Sequence, residues 1–203
     1  MNWLAHILLS KPTAAFRIGN LLPDLLPKPA LHALPNIFHE GIEQHIRIDR
    51  FTDTHPIVKR SIQRIGPAHR RFAGILVDVF YDFFLTHDWN RYSSKPLDTV
   101  AIEFYSGIDE HRHTLPSVAL DRLDGIRAEN LLCSYGSMGG IGVALDRIGS
   151  RLRRPVALGC AISELEKNGT ELKRDFEEFF PQLRRSVKFH AASSIQPIGS
   201  NQN

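Results

Sequence analysis

Apolar residues recur at three- and four-residue spacing along most of the chain, and strict alternation over strand lengths is hard to find. That period belongs to a helix burying one face, so the pattern predicts an all-α fold. Helices are expected over about 2–10, 13–26, 34–52, 55–65, 67–88, 96–112, 116–135, 138–151 and 155–190. Pro12, Pro23, Pro27, Pro29, Pro35, Pro56, Pro67, Pro96, Pro116 and Pro155 fall at or near the ends of these segments. Proline is tolerated in a first turn and breaks an interior. The last segment sets Leu165, Leu172, Phe176, Phe179 and Phe180 among charged residues, the pattern of an amphipathic closing helix. Asn168-Gly169 is a turn signal within it and is expected to interrupt it. Residues 191–203 offer little to bury and are expected to form a disordered tail. With no internal repeat and no second boundary, residues 1–190 read as a single helical domain.

Composition narrows the class. Of 203 residues, 42% are hydrophobic and 23% charged, which permits a core of ordinary size. The net charge of +3 is too small and too mixed in sign for a nucleic-acid arm or a polybasic membrane anchor. The basic residues divide as 18 Arg + 7 Lys = 25. Arginine forks hold carboxylates and phosphates, so the excess fits an acidic partner or a phosphorylated ligand, as it fits a compositional bias of the genome. Cys133 and Cys160 lack zinc-type spacing and exclude a disulfide scaffold, which suits a reduced, cytoplasmic setting. Met1 to Leu9 has no basic leading region, so no signal peptide is expected. The longest apolar run, Phe72 to Leu85, carries Asp78 and Asp82 and falls short of the ~20 residues of a membrane helix.

Polar residues inside apolar stretches point to chemistry. Asp78 and Asp82 lie four apart in a helix apolar around nearly its whole circumference, so their Cβ atoms share one face ~5–6 Å apart. Two carboxylates in a dry place demand compensation, from a metal ion or from structural arginines. His45 and Asp49 share the same spacing, either as a functional pair or as a surface ion pair. Asp53, in Asp53-Thr54-His55-Pro56, reads as the N-cap of the next helix. Asn2 and His6 lie on one face of a short apolar helix, and Asp24 follows in Gly19-Asn20-Leu21-Leu22-Pro23-Asp24. A mixed imidazole and carboxylate set without thiolates suits Mn²⁺ or Mg²⁺, and sometimes Fe²⁺, better than structural zinc.

Taken together, Met1-Asn2-Trp3-Leu4-Ala5-His6, Gly19 to Asp24, Gly41-Ile42 to His45, Ile48-Asp49, Thr52-Asp53 and Asp78-Val79-Phe80-Tyr81-Asp82 to Leu85 resemble the acyl carrier protein phosphodiesterases, also called acyl carrier protein hydrolases. The resemblance runs to about residue 185, densely to 90 and thinly afterwards. It implies a manganese-dependent relative of the all-helical HD phosphohydrolases that removes 4′-phosphopantetheine from holo acyl carrier protein. Carried over, it makes His6, Asp24, His45, Asp49, Asp78 and Asp82 candidate metal ligands or their supports. Asp24 and Asp49, with Arg47 and its neighbour Arg50 as phosphate clamps, are the candidate catalytic residues. Phe83 and Asp88 depart from the family, which can carry His there, so each departure removes either a ligand or a supporting donor. Acyl carrier proteins are acidic, which makes the Arg-rich stretches 59–71 and 147–154 candidate docking surfaces. The competing readings are a phosphohydrolase of nucleotides or other small phosphoesters at the same site, and a non-catalytic helical module that binds an acidic partner.

Overall fold

A computed structural model describes residues 1–193, with side chains through Lys188. Its α-helices are α1 (Trp3–Leu8), α2 (Ala14–Gly19), α3 (Leu22–Leu25), α4 (Lys28–His32), α5 (His39–Thr54), α6 (Pro56–Arg64), α7 (Ala73–His87), α8 (Trp89–Tyr92), α9 (Leu97–His111), α10 (Ser117–Ala128), α11 (Leu131–Ser134), α12 (Met138–Ser150) and α13 (Ile162–Ser193). Short 3₁₀ turns precede α5, α7 and α13 and follow α9. No strand occurs among the described residues, and the helices enclose one hydrophobic core.

The central element is α7, whose Leu76, Val77, Phe80, Tyr81 and Leu85 are fully buried against α1, α6, α12 and α13. Around it, α13 lays Leu172, Phe176, Phe179, Phe180 and Leu183 onto α5, α6 and α7. The expected break at Asn168-Gly169 does not occur. The apolar face runs on through it, and the Asn168 side chain donates to Glu164 one turn earlier rather than to a turn. Pro181 also lies inside this helix. The helix continues to Ser193, past the expected boundary at 190, and the remainder of the expected disordered tail lies outside the described residues.

Other differences are local. The segment expected over 13–26 splits at Asn20 and Leu21, and 116–135 splits at Asn130, whose φ of 43° is left-handed, a conformation asparagine tolerates. Residues 67–72 are 3₁₀ rather than α, and α4 and α8 lie outside the expected segments. The cap of α6 is His55, whose Nδ1 accepts from Ile57 N at 3.3 Å, so Asp53 stays inside α5 and caps nothing. Two glycines set the approach of α2 to α5. A Cβ on Gly19 would stand 2.3 Å from the Phe38 carbonyl oxygen, and one on Gly41 would stand 2.3 Å from that of Phe16. That contact brings the end of α2, with Asn20, against the face of α5 that carries His45.

Candidate metal centre

Three segments converge at the N-terminal face of the core: α1 with His6, the α2–α3 junction with Asn20 and Asp24, and α5 with His45 and Asp49. His6 is fully buried and His45 nearly so, and their rings stack at 4.2 Å between centroids. Asn20 ties down both. Its side-chain oxygen is 3.0 Å from His6 Nδ1 and its backbone carbonyl 2.8 Å from His45 Nδ1. Both acceptors are oxygens, so each Nδ1 donates and each ring turns its Nε2 towards the centre, where His6 Nε2 also lies 3.2 Å from the Met1 carbonyl oxygen. Asn20 is itself held, through Nδ2, by the His6 carbonyl and Ser10 Oγ, both at 2.9 Å.

Both Nε2 atoms face Asp49, at 3.2 Å from His6 to Oδ1 and 2.9 Å from His45 to Oδ2. Asp49 Oδ1 is buried and has no partner in hydrogen-bonding geometry. Donor atoms of His6, His45 and Asp49 lie within 4.8 Å of one another, the spacing a single cation bridges. Asp24 stands at the rim, with Oδ1 3.6 Å from His45 Nε2 and Oδ2 held by Trp3 Nε1 at 2.8 Å. Two imidazole nitrogens and a buried carboxylate oxygen without a hydrogen-bond partner, gathered at one spot, form a donor set that fits a divalent ion. Without one, burial works against a charged His45, but the hydrogen bond to Asp49 and the charge of Asp24 outweigh it and raise the imidazole pKa. Burial likewise opposes ionisation of Asp49, yet His45, His6 and the Met1 ammonium hold its carboxyl far below the usual range.

The pair Asp78/Asp82 takes a different place from the one its spacing suggests. Asp82, fully buried, accepts from the backbone N–H groups of Leu4 at 2.8 Å and Ala5 at 3.1 Å, so it satisfies the first turn of α1 instead of facing the ligand cluster. Burial nevertheless pushes its pKa up to about 7 against those donors. Asp78 Oδ1 lies 3.3 Å from the Met1 ammonium, which also sits 3.6 Å from Asp49. Burial disfavours that ammonium, but Asp78 and Asp49 raise its pKa to about 10. The compensating cation beside these two aspartates is therefore an amine, and the compensating donors are a helix terminus. Their joint effect is to fix α1 and so to place His6.

Arg47 is not brought to the cluster: it pairs with Glu43 at 3.5 Å on the exposed side of α5. Arg50 is also exposed, one residue from Asp49 but on another face. Phe83 packs on His87 and Phe84, and Asp88 pairs with Arg91 and Lys173, so neither departure falls at a position that reaches the two imidazoles. Two other residues line a cavity that shares Asp24 with the cluster but not His6, His45 or Asp49. This cavity, of about 270 Å³, is lined by Met1, Asn2, Asp24, Asp78 and Arg151 among others. Asn2 is buried and its Nδ2 has no acceptor, and Arg151 has no carboxylate within ion-pair distance among the described residues. Burial and the neighbouring Arg147 and Arg122 lower the pKa of that guanidinium. Arg151 falls in the Arg-rich stretch 147–154, but its spacing carries no sign that it alone lines this cavity.

Comparison with known proteins places the chain among relatives of one name. A family profile described as "Acyl carrier protein phosphodiesterase" matches residues 1–183. The protein of that name from Serratia proteamaculans (strain 568) is 32% identical over 191 residues, covering 93% of this chain and 98% of the relative. The one from Enterobacter sp. (strain 638) is 30% identical over 189 residues, with coverage of 93% and 98%. A third, from Photorhabdus laumondii, is 26% identical over 189 residues, covering 93% and 96%. No solved structure matches the chain.

Proposed function

Because the chain belongs to the acyl carrier protein phosphodiesterase family, we propose that it hydrolyses the phosphodiester joining 4′-phosphopantetheine to holo acyl carrier protein, leaving the apo carrier. The observation that supports this reading is the pair of imidazoles whose Nε2 atoms converge on Asp49, with Oδ1 of that carboxylate buried and unpartnered. His6, His45 and Asp49, with Asp24 at the rim, would hold a divalent ion, Mn²⁺ first and Mg²⁺ or Fe²⁺ after it. When bound, such an ion offsets charge on the phosphoryl oxygens and makes water more acidic. An HD-type kinship of the centre and a cytoplasmic setting, which suits the free thiols Cys133 and Cys160, belong to the same proposal.

The chain's own residues supply the rest. Asn20 holds both rings at Nδ1, so neither imidazole turns. Asp24, half open to solvent and anchored by Trp3, takes a proton from the attacking water. Asn2 Nδ2 and Arg151 lie in the same cavity without acceptors and donate to the non-bridging phosphoryl oxygens, where charge builds in the transition state. The water oxygen replaces the carrier's oxygen on phosphorus, and the proton ends on the carrier's hydroxyl. Asp78 and Asp82 act through α1, as positioning residues for His6.

Mass spectrometry of holo acyl carrier protein before and after incubation with the Mn²⁺-loaded protein tests the proposal. The expected result is loss of the phosphopantetheine mass and appearance of the apo carrier. An unchanged carrier, together with turnover of a nucleotide panel, would replace this reading with a small-phosphoester hydrolase.

A further inference from the structure

Beside the cavity that holds Asp24 and Arg151 lies a second, of about 620 Å³, and the two share Ile75 and Leu152 as walls. Its other lining divides by chemistry: Phe72 and Val156 are apolar, and Arg71, Arg153 and Arg154 bring three guanidinium groups. All three arginines are exposed, and none has a carboxylate within ion-pair distance among the described residues. Elsewhere many arginines are already engaged, while Arg50, Arg70, Arg174 and Arg185 are exposed without an ion pair among the described residues. Arg17, Arg47, Arg60, Arg64, Arg91, Arg112, Arg127 and Arg147 are all engaged by Asp or Glu. Arg60, Arg64 and Arg147 belong to the two Arg-rich stretches of the sequence, and their charge is spent inside the molecule. What remains free in those stretches gathers largely at this groove.

We propose that the groove bounded by Arg71, Arg153 and Arg154 is the docking face for an acidic protein surface, placed so that a phosphodiester at that protein's edge reaches Arg151 and Asp24. The proposal rests on the phosphodiesterase reading above and adds where the carrier sits. Charge complementarity identifies the occupant. Unpaired guanidinium groups from two separate segments, the turn before α7 and the loop after α12, match carboxylates spread over a surface better than one small anion. The apolar walls between them favour a protein over a nucleic acid, because a phosphate backbone offers nothing to bury there. The shared walls make the docking face continuous with the site, so the partner's orientation fixes which bond enters it.

The test uses the full chain and two charge-matched double variants, R71E/R153E in the groove and R174E/R185E on unpaired exposed arginines of α13. Binding is read with an apo acyl carrier protein, which has no bond to cleave, and catalysis with the holo form and with bis(4-nitrophenyl) phosphate. In R71E/R153E, affinity for the apo carrier should fall at least tenfold and KM for the holo carrier should rise to match, with kcat and turnover of the small diester close to those of the parent. R174E/R185E should change affinity less than threefold. Equal losses in both variants, or none in the first, overturn the docking face while leaving the hydrolase reading intact. A wild-type protein that neither binds nor cleaves the carrier overturns both. Tighter binding of a structured RNA than of the carrier at the same salt overturns the choice of partner.

Discussion

Asp49 on α5, 36% open to solvent, and Asp175 on α13, buried, both face side-chain nitrogens, yet their oxygens end in opposite states. Asp175 is saturated: Arg60 and Arg64 donate through Nε at 2.8 Å, and Ser61 Oγ adds a third bond at 2.8 Å while also bonding the Tyr81 hydroxyl. It pins α13 to α6, and through Tyr81 to α7. Asp49 has one oxygen without a partner in hydrogen-bonding geometry, the Nε2 atoms of two imidazoles within 3.2 Å and the Met1 ammonium at 3.6 Å. A buried carboxylate whose acceptors are all filled holds a fold together. A carboxylate that keeps an open oxygen beside two imidazoles leaves a donor set that a ligand can complete.

Substitution separates the two. Asp49→Ala should lower metal-supported turnover by at least ~10³-fold, and should cost the metal-free protein stability at neutral pH, because His45 and the Met1 ammonium lose a carboxylate that supports their charge. Titration with Mn²⁺ and a thermal melt without metal check both halves. Asp175→Ala should cost about 3 kcal/mol of stability, at the low end for a buried pair because both arginine heads can turn to solvent. Its kcat per folded molecule should match the parent's, and a loss of Mn²⁺ affinity in this variant would break the comparison. Asn20→Ala comes next. Freed from its side-chain acceptor, the His6 ring should cost the site roughly 10–100-fold in metal affinity, read by calorimetry, with little change in helix content, while His45 keeps the backbone carbonyl of residue 20.

Smaller effects sharpen the geometry. Gly41→Ala places a Cβ 2.3 Å from the Phe16 carbonyl and should push α2 off α5 at a cost of about 1–3 kcal/mol, weakening Mn²⁺ binding because Asn20 moves too. Denaturant melts with and without Mn²⁺ separate those contributions. Asp82 gives a pH signature. Folding raises its pKa from 3.8 to about 7, so the folded state binds the extra proton, and stability should fall as pH rises between those values. Asp175, held below its ordinary range by Arg64, Ser61 and Arg60 against the cost of burial, acts in the other direction and loses its contribution as pH falls. Asp82→Asn should flatten the decline seen by denaturant titration between pH 4 and 7. Arg47→Ala should change turnover less than about twofold and stability by less than ~0.5 kcal/mol, since its one ion-pair partner among the described residues is the exposed Glu43.

The helical class was legible in the three-and-four spacing, because burial of one helix face is a local property of order in the chain. So was the pairing of His45 with Asp49, which sit one turn apart on α5 and meet at 2.9 Å. The family motifs brought His6 and Asp24 to the same place. Spacing gave Asp78 and Asp82 the same appearance, but a helix period says which residues share a face and nothing about what packs against it. In the folded chain that face meets the start of α1, so one carboxylate went to backbone N–H groups and the other to an amine. The arginines follow the same rule. Arg60, Arg64 and Arg151 are alike in sequence, and only the approach of α13 to α6 and the walls of the cavity make two of them structural and leave one facing the site. Local order determined the faces, and long-range packing decided which charges were neutralised within the protein and which were left for a ligand.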